Sequence, residues 1–369
     1  TNTMEAAKSS SSTDILVLGR MSGVIPTMPA PPKQPTMKAL ELRAYDGISL
    51  VFVSNKPIPV PAHGEVLVRV QSAPITVHDV LFLQGRYGAN RQLPVVPGLE
   101  CSGVVVQSGG GLLGRALLGR RVVCGAPERG DGTWAEYVCV PTWRCVPLRS
   151  FMPYDQGATL LSTGVAAYAL IEAARAKGAR AIANTSTNTP LGRMLAVCAE
   201  RRGVPMLHLV EHGSDAAALK ALGARHVVDL STDVSDGQLQ ALFQALGVSV
   251  VLDSRPGDRT QQLLQALPTG GSVMVYGHRS EGTCCIDPSE LVRHNKSLEG
   301  FRLLDWMRRA GFARSVQAAL FAQKLWNLDS KASTPGGGAR LPLDSYHQAL
   351  DLLYRGRITD GQIQFSLSS

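Results

Sequence analysis

The chain has 369 residues, of which 44% are hydrophobic and 18% are charged, and its net charge is +8. This composition supports a sizeable core, excludes a disordered or collagen-like chain, and includes no apolar run of the roughly 18 residues that span a bilayer. We therefore expect a soluble protein without a membrane span, and because the basic residues are dispersed, nucleic-acid binding is not indicated.

Residues 1–36 differ in composition from the rest of the chain. They contain four consecutive serines at 9–12 and five prolines between Pro26 and Pro35. Such a segment has no apolar periodicity and no means of folding alone, so we predict that it contacts other protein subunits. The first residue is Thr1, which is compatible with a trimmed organelle precursor, an expression remnant or an incomplete start.

Residues 37–153 read as a mostly β lobe, because short β-rich runs alternate with Gly- and Pro-containing turns. The predicted strands are Met37–Ala44, Ile48–Ser54, Glu65–Gln71, Gly103–Gln107, Arg121–Cys124 and Trp134–Val140.

Residues 154–300 change rhythm and alternate helices with short apolar strands. A long Ala-rich helix is predicted over Tyr154–Ala176, and the βαβ alternation that follows indicates a parallel sheet. Its predicted strands are Ala179–Asn184, Met206–Val210, His226–Asp229, Val248–Asp253, Gly271–Tyr276 and Leu298–Leu303. Residues 301–369 are predicted to return to the β lobe through a helix over Leu343–Leu353 and a strand over Ile358–Phe365.

The seven cysteines are odd in number and include no C-x-x-C pair. This pattern favours a reducing compartment with buried or free thiols over a disulfide framework. The adjacent Cys284 and Cys285 are interpreted as a strand pair that faces opposite sides.

Four motifs in the expected order resemble the medium-chain dehydrogenase/reductase family. They are Gly64–Val70, Leu93–Glu100, Gly132–Tyr137 and Leu222–Val227. The resemblance implies an α/β fold with a GroES-like mostly-β lobe and a doubly wound Rossmann domain. The zinc branch of the family carries a catalytic His where this chain has Leu99, and it has four closely spaced cysteines that are dispersed here. No metal site is therefore expected.

The segment Asp79–Gly88 is similar to a stretch of the mitochondrial 2-enoyl thioester reductases, as is Gly300–Trp306. The resemblance implies that Tyr87 is catalytic and donates a hydrogen bond to the thioester oxygen, where enolate-like charge develops. The alternative is a tyrosine that only packs beneath its glycine-containing loop.

The glycine-rich loop expected after the first Rossmann strand is altered in this chain. Only Gly192 remains of its glycines, and Pro190 removes a backbone donor, so the phosphate cradle is weakened. The hydroxyls of Thr187 and Thr189 are expected to compensate in part.

Three further residues complete the candidate cofactor site. Glu211 lies 19 residues beyond Gly192, where a carboxylate suits a ribose hydroxyl and repels a 2′-phosphate, which favours NAD(H) over NADP(H). Thr163 begins a run that has lost the polar Asn-Pro-x-Thr pattern of the relatives, and Tyr276 ends a predicted strand.

Two functions remain open on these observations. The first is a low-activity or inactive accessory subunit of a mitochondrial assembly, such as a respiratory complex or the ribosome. The second is an active zinc-free NAD(P)H-dependent reductase of 2-enoyl thioesters or quinones. The resemblance and the start of the chain favour the mitochondrial matrix, with the cytoplasm as the alternative.

Overall fold

A computed structural model describes residues 34–88, 90–186, 189–221, 223–232, 234–277, 283–328, 339–354 and 363–367. The chain from Pro35 to Ser369 forms one compact unit, and it carries two kinds of sheet. The predicted extension at residues 1–36 falls outside the described residues except for its last three.

The first lobe is built from strand pairs that are antiparallel except for the parallel pair at its edge, Ala339–Leu341 with Ile363–Ser366. A two-stranded sheet pairs β1 with β2, and a seven-stranded sheet has the order β14-β15-β3-β4-β5-β7, with β6 also paired to β3. The strands are β1 (Thr36–Leu42), β2 (Leu50–Pro57), β3 (Glu65–Ile75), β4 (Glu100–Ser108), β5 (Arg121–Gly125), β6 (Tyr137–Pro141), β7 (Cys145–Pro147), β14 (Ala339–Leu341) and β15 (Ile363–Ser366). The helices of this part are α1 (Val77–Leu83), α2 (Leu112–Leu117) and α11 (Tyr346–Tyr354). Trp134 and Phe365 pack edge to face in its core, with ring centroids 5.2 Å apart.

The second lobe is a six-stranded parallel sheet of order β10-β9-β8-β11-β12-β13. Its strands are β8 (Ala181–Asn184), β9 (Met206–Val210), β10 (His226–Asp229), β11 (Val248–Asp253), β12 (Ser272–Val275) and β13 (Ser297–Gly300). Its helices are α5 (Pro190–Arg201), α6 (Gly213–Ala221), α7 (Asp236–Leu246), α8 (Asp258–Ala266), α9 (Pro288–Arg293) and α10 (Leu303–Leu328). This is the doubly wound order, and the predicted α/β fold class is confirmed.

The helix predicted over 154–176 is interrupted. The structure has α3 (Tyr154–Gly157), a π-helical turn over Leu161–Val165 and α4 (Ala166–Ala176). A π turn widens the helix locally and re-aims its side chains, which is common at functional sites. The turn lies where the two lobes meet.

Two predictions for the end of the second lobe need correction. The strand pair at Cys284 and Cys285 is wrong, because the chain there is irregular as it approaches α9. The strand predicted over Leu298–Leu303 ends at Gly300, after which α10 begins. This helical segment was not predicted, and it bends at Gly311, whose φ is +80°.

All seven cysteines are free thiols. Cys101, Cys124 and Cys145 lie in register across β4, β5 and β7. The Cys101 and Cys124 sulfur atoms are 3.4 Å apart, and all three side chains are buried in the β-lobe core. The hydrogen bond with Cys124, and then burial, raises the pKa of the Cys101 thiol, and burial raises that of Cys145. Within the described ranges, no helix is both long and apolar enough to cross a bilayer.

Candidate active site between the two lobes

A cleft separates the lobes at the carboxyl ends of the parallel strands, at the point where the strand order reverses between β8 and β11. In doubly wound sheets this is where ligands bind. Both lobes contribute to its walls, and eight of the thirteen described lining residues carry a hydroxyl group. The described lining residues are Thr76, Val77, His78, Thr159, Ser162, Thr163, Ser186, Thr189, Pro190, Leu191, Ser254, Tyr276 and Gly277.

The β-lobe wall is fixed by the start of α1. Thr76 caps this helix, its hydroxyl oxygen accepting from the Asp79 backbone N–H at 3.4 Å, and Asp79 closes a capping box by accepting from the Thr76 backbone N–H at 2.8 Å. Each capping bond satisfies a helix-end donor, so the first turn is held firmly. His78 is thereby placed on the cleft wall, and Asp79 has a buried structural role.

Tyr87 lies beside this wall on the loop that follows α1. Its ring meets the ring of His78 edge to face at 6.0 Å, and 38% of the residue is exposed. Desolvation, and then the charge of Asp79, raises the pKa of Tyr87. Its hydroxyl therefore stays protonated at neutral pH and remains a hydrogen-bond donor.

The lobes are joined by a contact that sequence reasoning missed. Glu100 on β4 is buried, its Oε2 accepts from the Ser162 backbone N–H at 3.2 Å, and its Oε1 is hydrogen-bonded to the Ser162 hydroxyl. Burial raises the pKa of Glu100 to about 8. The acidic position itself was visible within a family motif, but its partner lies 62 residues away in the π turn. The next residue of that turn is Thr163, a predicted site residue, and its hydroxyl donates to the Thr159 carbonyl oxygen.

The loop between β8 and α5 carries the altered phosphate motif. Thr189 caps α5, with its hydroxyl accepting from the Gly192 backbone N–H at 3.0 Å and lying 2.7 Å from the Ser186 hydroxyl. Pro190 is the first residue of the helix. Thr189 thus stabilises the start of α5. Its hydroxyl oxygen already accepts the hydrogen bond of the Gly192 backbone N–H, and Gly192 is the one glycine of the motif that remains. The predicted site residue Thr187 lies outside the described residues.

Tyr276 follows β12 and lines the same cleft. Its hydroxyl donates to Asn184 Oδ1 at 3.1 Å, and the same oxygen accepts from the Ser186 backbone N–H at 3.1 Å. Next to it, a Cβ on Gly277 would lie 2.5 Å from the Ser254 carbonyl oxygen. Only glycine therefore allows the end of β12 to approach β11 this closely.

Glu211 directly follows β9, which lies next to β8 on the side away from β11. Its carboxylate forms an ion pair with Arg255, which follows β11, at 3.1 Å. The two side chains are 37% and 43% exposed, with Arg255 the more open. The ion pair holds the Glu211 carboxylate in place beside the C-terminal edge of the sheet.

The predicted site residues therefore separate into groups. Thr163, Thr189 and Tyr276 line one cleft, and Gly192 lies one turn into α5. Tyr87 adjoins that cleft through His78, whereas Glu211 lies beyond it on the sheet edge. Within the described ranges, no group of three His, Cys, Asp or Glu residues is placed to hold a metal ion.

Comparison with known families matches two parts of the chain. Residues 62–150 match the description "Alcohol dehydrogenase GroES-like domain", and residues 190–318 match "Zinc-binding dehydrogenase". The first match covers most of the antiparallel lobe, and the second runs from the start of α5 into α10.

Individual proteins with similar sequences carry different names. The Mus musculus protein named synaptic vesicle membrane protein VAT-1 homolog-like is 25% identical over 342 residues, which are 87% of this chain and 80% of that protein. The mitochondrial enoyl-[acyl-carrier-protein] reductase of Bos taurus is 27% identical over 269 residues, 71% of each chain.

Solved structures with the same fold include bacterial quinone reductases. A protein described as an NADPH:quinone reductase from Mesorhizobium loti has a TM-score of 0.77 at 26% identity, covering 91% of this chain and 99% of that one. The quinone oxidoreductase of Thermus thermophilus, solved also with NADPH, has a TM-score of 0.67 at 25% identity, covering 89% and 100%.

Proposed function

Because the chain belongs to the medium-chain dehydrogenase/reductase family, we propose that it is an NAD(P)H-dependent reductase of 2-enoyl thioesters or quinones that works without zinc. The observation that carries this proposal is the placement of Tyr87. Its ring packs edge to face against His78, which lines the cleft between the lobes, and its raised pKa keeps the hydroxyl protonated. The names of the Bos taurus and Thermus thermophilus proteins support the two substrate classes.

The residues at the sheet edge fit a nicotinamide dinucleotide, except that they offer its pyrophosphate fewer backbone N–H donors. Glu211 offers a carboxylate for a ribose hydroxyl, and Gly277, which follows β12, lines the cleft without a side chain. Between them, Pro190 has no N–H, and the Gly192 N–H already donates to Thr189. The pyrophosphate therefore meets fewer amide donors than in an unaltered glycine-rich loop.

The chemistry divides between cofactor and protein. A bound dihydronicotinamide would supply hydride. We propose that the Tyr87 hydroxyl donates a hydrogen bond to the substrate carbonyl oxygen, where negative charge develops during reduction. His78 packs against the Tyr87 ring and is held by the capped start of α1, so it orients the tyrosine. Leu99, next to the buried Glu100, lies where the zinc branch carries a metal-binding histidine.

The test is turnover by the purified chain with a medium-chain 2-enoyl-CoA and with a benzoquinone, followed by the loss of nicotinamide absorbance. Tyr87→Phe should lower kcat by about a hundredfold, because losing one oxyanion donor typically costs about that much. Tyr354→Phe is the matched control, since this tyrosine is also partly exposed but its hydroxyl donates to Gly47. Absence of turnover and of dinucleotide binding in the unaltered chain would contradict the proposal.

The other function predicted from the sequence, an inactive accessory subunit, is not favoured over a reductase. Contact with other subunits through residues 1–36 stays a proposal, and that segment lies almost wholly outside the described residues. A mitochondrial location is proposed on the names of the Bos taurus and Xenopus tropicalis relatives, with the cytoplasm as the alternative.

A further inference from the structure

A second cavity lies in the Rossmann lobe, away from the cleft. It has a volume of about 390 Å³ and is bounded by α5, α6 and the strands β9 and β10. Cavities of this size hold small organic ligands. It shares no described lining residue with the cleft between the lobes, and no part of the proposed reductase mechanism uses it.

A buried histidine forms part of this cavity. His208, in the middle of β9, is only 3% exposed, yet it is one of the residues that line the cavity. Among the described residues its Nδ1 atom has no hydrogen-bond partner. Burial, with His226 nearby, lowers the pKa of His208 to about 4, so the ring is neutral at physiological pH. Because buried polar groups are nearly always hydrogen-bonded, an unpartnered imidazole points to a missing polar partner.

The walls and rim of the cavity differ in chemistry. Val197, Met206 and Leu219 give it buried apolar walls. Arg193 on α5 and Arg225 before β10 bring two positive charges, against the single carboxylate of Glu200 among the described lining residues. An apolar interior with an excess of positive charge suits an amphipathic anion better than a cation or a neutral hydrocarbon.

We propose that this cavity binds a small aliphatic monocarboxylate. Its head group pairs with the arginines, its chain covers Val197, Met206 and Leu219, and the His208 imidazole supplies a hydrogen bond. The site is separate from the dinucleotide cleft, so its occupation does not depend on the proposed reductase activity.

Octanoate is the probe, and the full-length chain is titrated with it by calorimetry and by NMR of the His208 imidazole. We expect saturable heat and a shift of the His208 resonance. Octanol, which has the same chain length without the charge, should bind at least tenfold more weakly. Replacing both Arg193→Gln and Arg225→Gln should weaken octanoate binding at least tenfold.

Two further variants distinguish binding in this cavity from binding elsewhere on the protein. Ala196→Phe places a large side chain on the α5 wall of the cavity and should abolish the His208 shift. The pair Arg175→Gln with Arg201→Gln removes the same charge from exposed positions outside the cavity, and it should bind octanoate within twofold of the unaltered chain. The proposal is overturned if octanoate produces no shift at His208, if octanol binds as tightly, or if the Arg193 and Arg225 replacements leave the affinity unchanged.

Discussion

The Glu211–Arg255 pair sets the charge at the sheet edge where the adenosine end of a dinucleotide would lie. The carboxylate repels a 2′-phosphate, while the arginine it holds at 3.1 Å is a group that binds phosphate well. We predict that NADH binds the unaltered chain more tightly than NADPH. Glu211→Gln should reverse this order, because it removes the repulsion and releases Arg255, with a gain in NADPH affinity on the order of tenfold. Glu211→Arg should shift the preference further.

Fluorescence titration with both dinucleotides measures this effect. Glu299→Gln is the matched control. Glu299 lies on the edge strand β13, is 38% exposed and forms an ion pair with Lys177. Tighter binding of NADPH than of NADH by the unaltered chain would count against the role given to Glu211.

Pro190 tests the interpretation of the altered phosphate loop. Pro190→Ala restores a backbone N–H at the first residue of α5, where helix amides bind phosphate. The helix start should remain intact, because Thr189 still caps it. We predict roughly tenfold tighter NADH binding, the scale of one hydrogen bond to a charged group. Pro288→Ala makes the same change at the start of α9 and should leave the dinucleotide affinity unchanged.

At the scale of elements, the burial of Glu100, where β4 meets the π turn, makes stability depend on pH, because burial raises the pKa of this carboxyl and outweighs its hydrogen bonds to Ser162. The pKa of Glu100 is about 8 in the folded chain against an ordinary value of 4.5. Between these values the folded state holds a proton that the unfolded chain has released. The contribution is therefore fully present below pH 4.5 and is lost as the pH rises through 8, with a slope of up to about 1.4 kcal/mol per pH unit.

Urea unfolding at several pH values between 5 and 9 measures this slope. Glu100→Gln imitates the protonated carboxyl and should flatten the curve, with its largest gain in stability over the unaltered chain at the alkaline end. Glu299→Gln, on an exposed side chain, should keep the original slope. Parallel curves for the unaltered chain and Glu100→Gln would mean that Glu100 does not take up a proton on folding.

The elements best predicted from sequence are those whose pattern is local. The strands over Met206–Val210 and Val248–Asp253 begin and end at the predicted residues, because each is a short run of mostly apolar residues. The helical segment α10 was missed because Leu298–Leu303 reads as a β run and Gly311 breaks the helical pattern. The π turn is hydrogen-bonded through Ser162 to Glu100, 62 residues away, a contact that no local pattern encodes.

At the scale of the whole molecule, the chain leaves the β lobe, builds the Rossmann lobe and returns. β15 pairs antiparallel with β3, and the Ser72 hydroxyl donates to Gln364 across 292 residues of sequence. The family motifs predicted this architecture. Thr189 and Tyr276 meet in one cleft because each follows a strand of the parallel sheet, and Thr163 reaches the same cleft from the π turn. The pairs Glu100–Ser162 and Glu211–Arg255 could not be predicted, since each joins residues that only the tertiary fold brings together.

The chain divides into two units between Gln34 and Pro35. The compact unit runs from Pro35 to Ser369 and contains all three described hydrophobic clusters. Because apolar burial supplies most of the stabilising free energy, a chain that starts at Pro35 should fold and should melt within ~2 °C of the full-length protein in scanning calorimetry. If the extension over residues 1–36 serves to contact another polypeptide, removing residues 1–34 should change the mass of the complex, measured by light scattering with that polypeptide present, and leave the melting temperature unchanged. A loss of several degrees on truncation would instead assign those residues to the stability of the reductase fold itself.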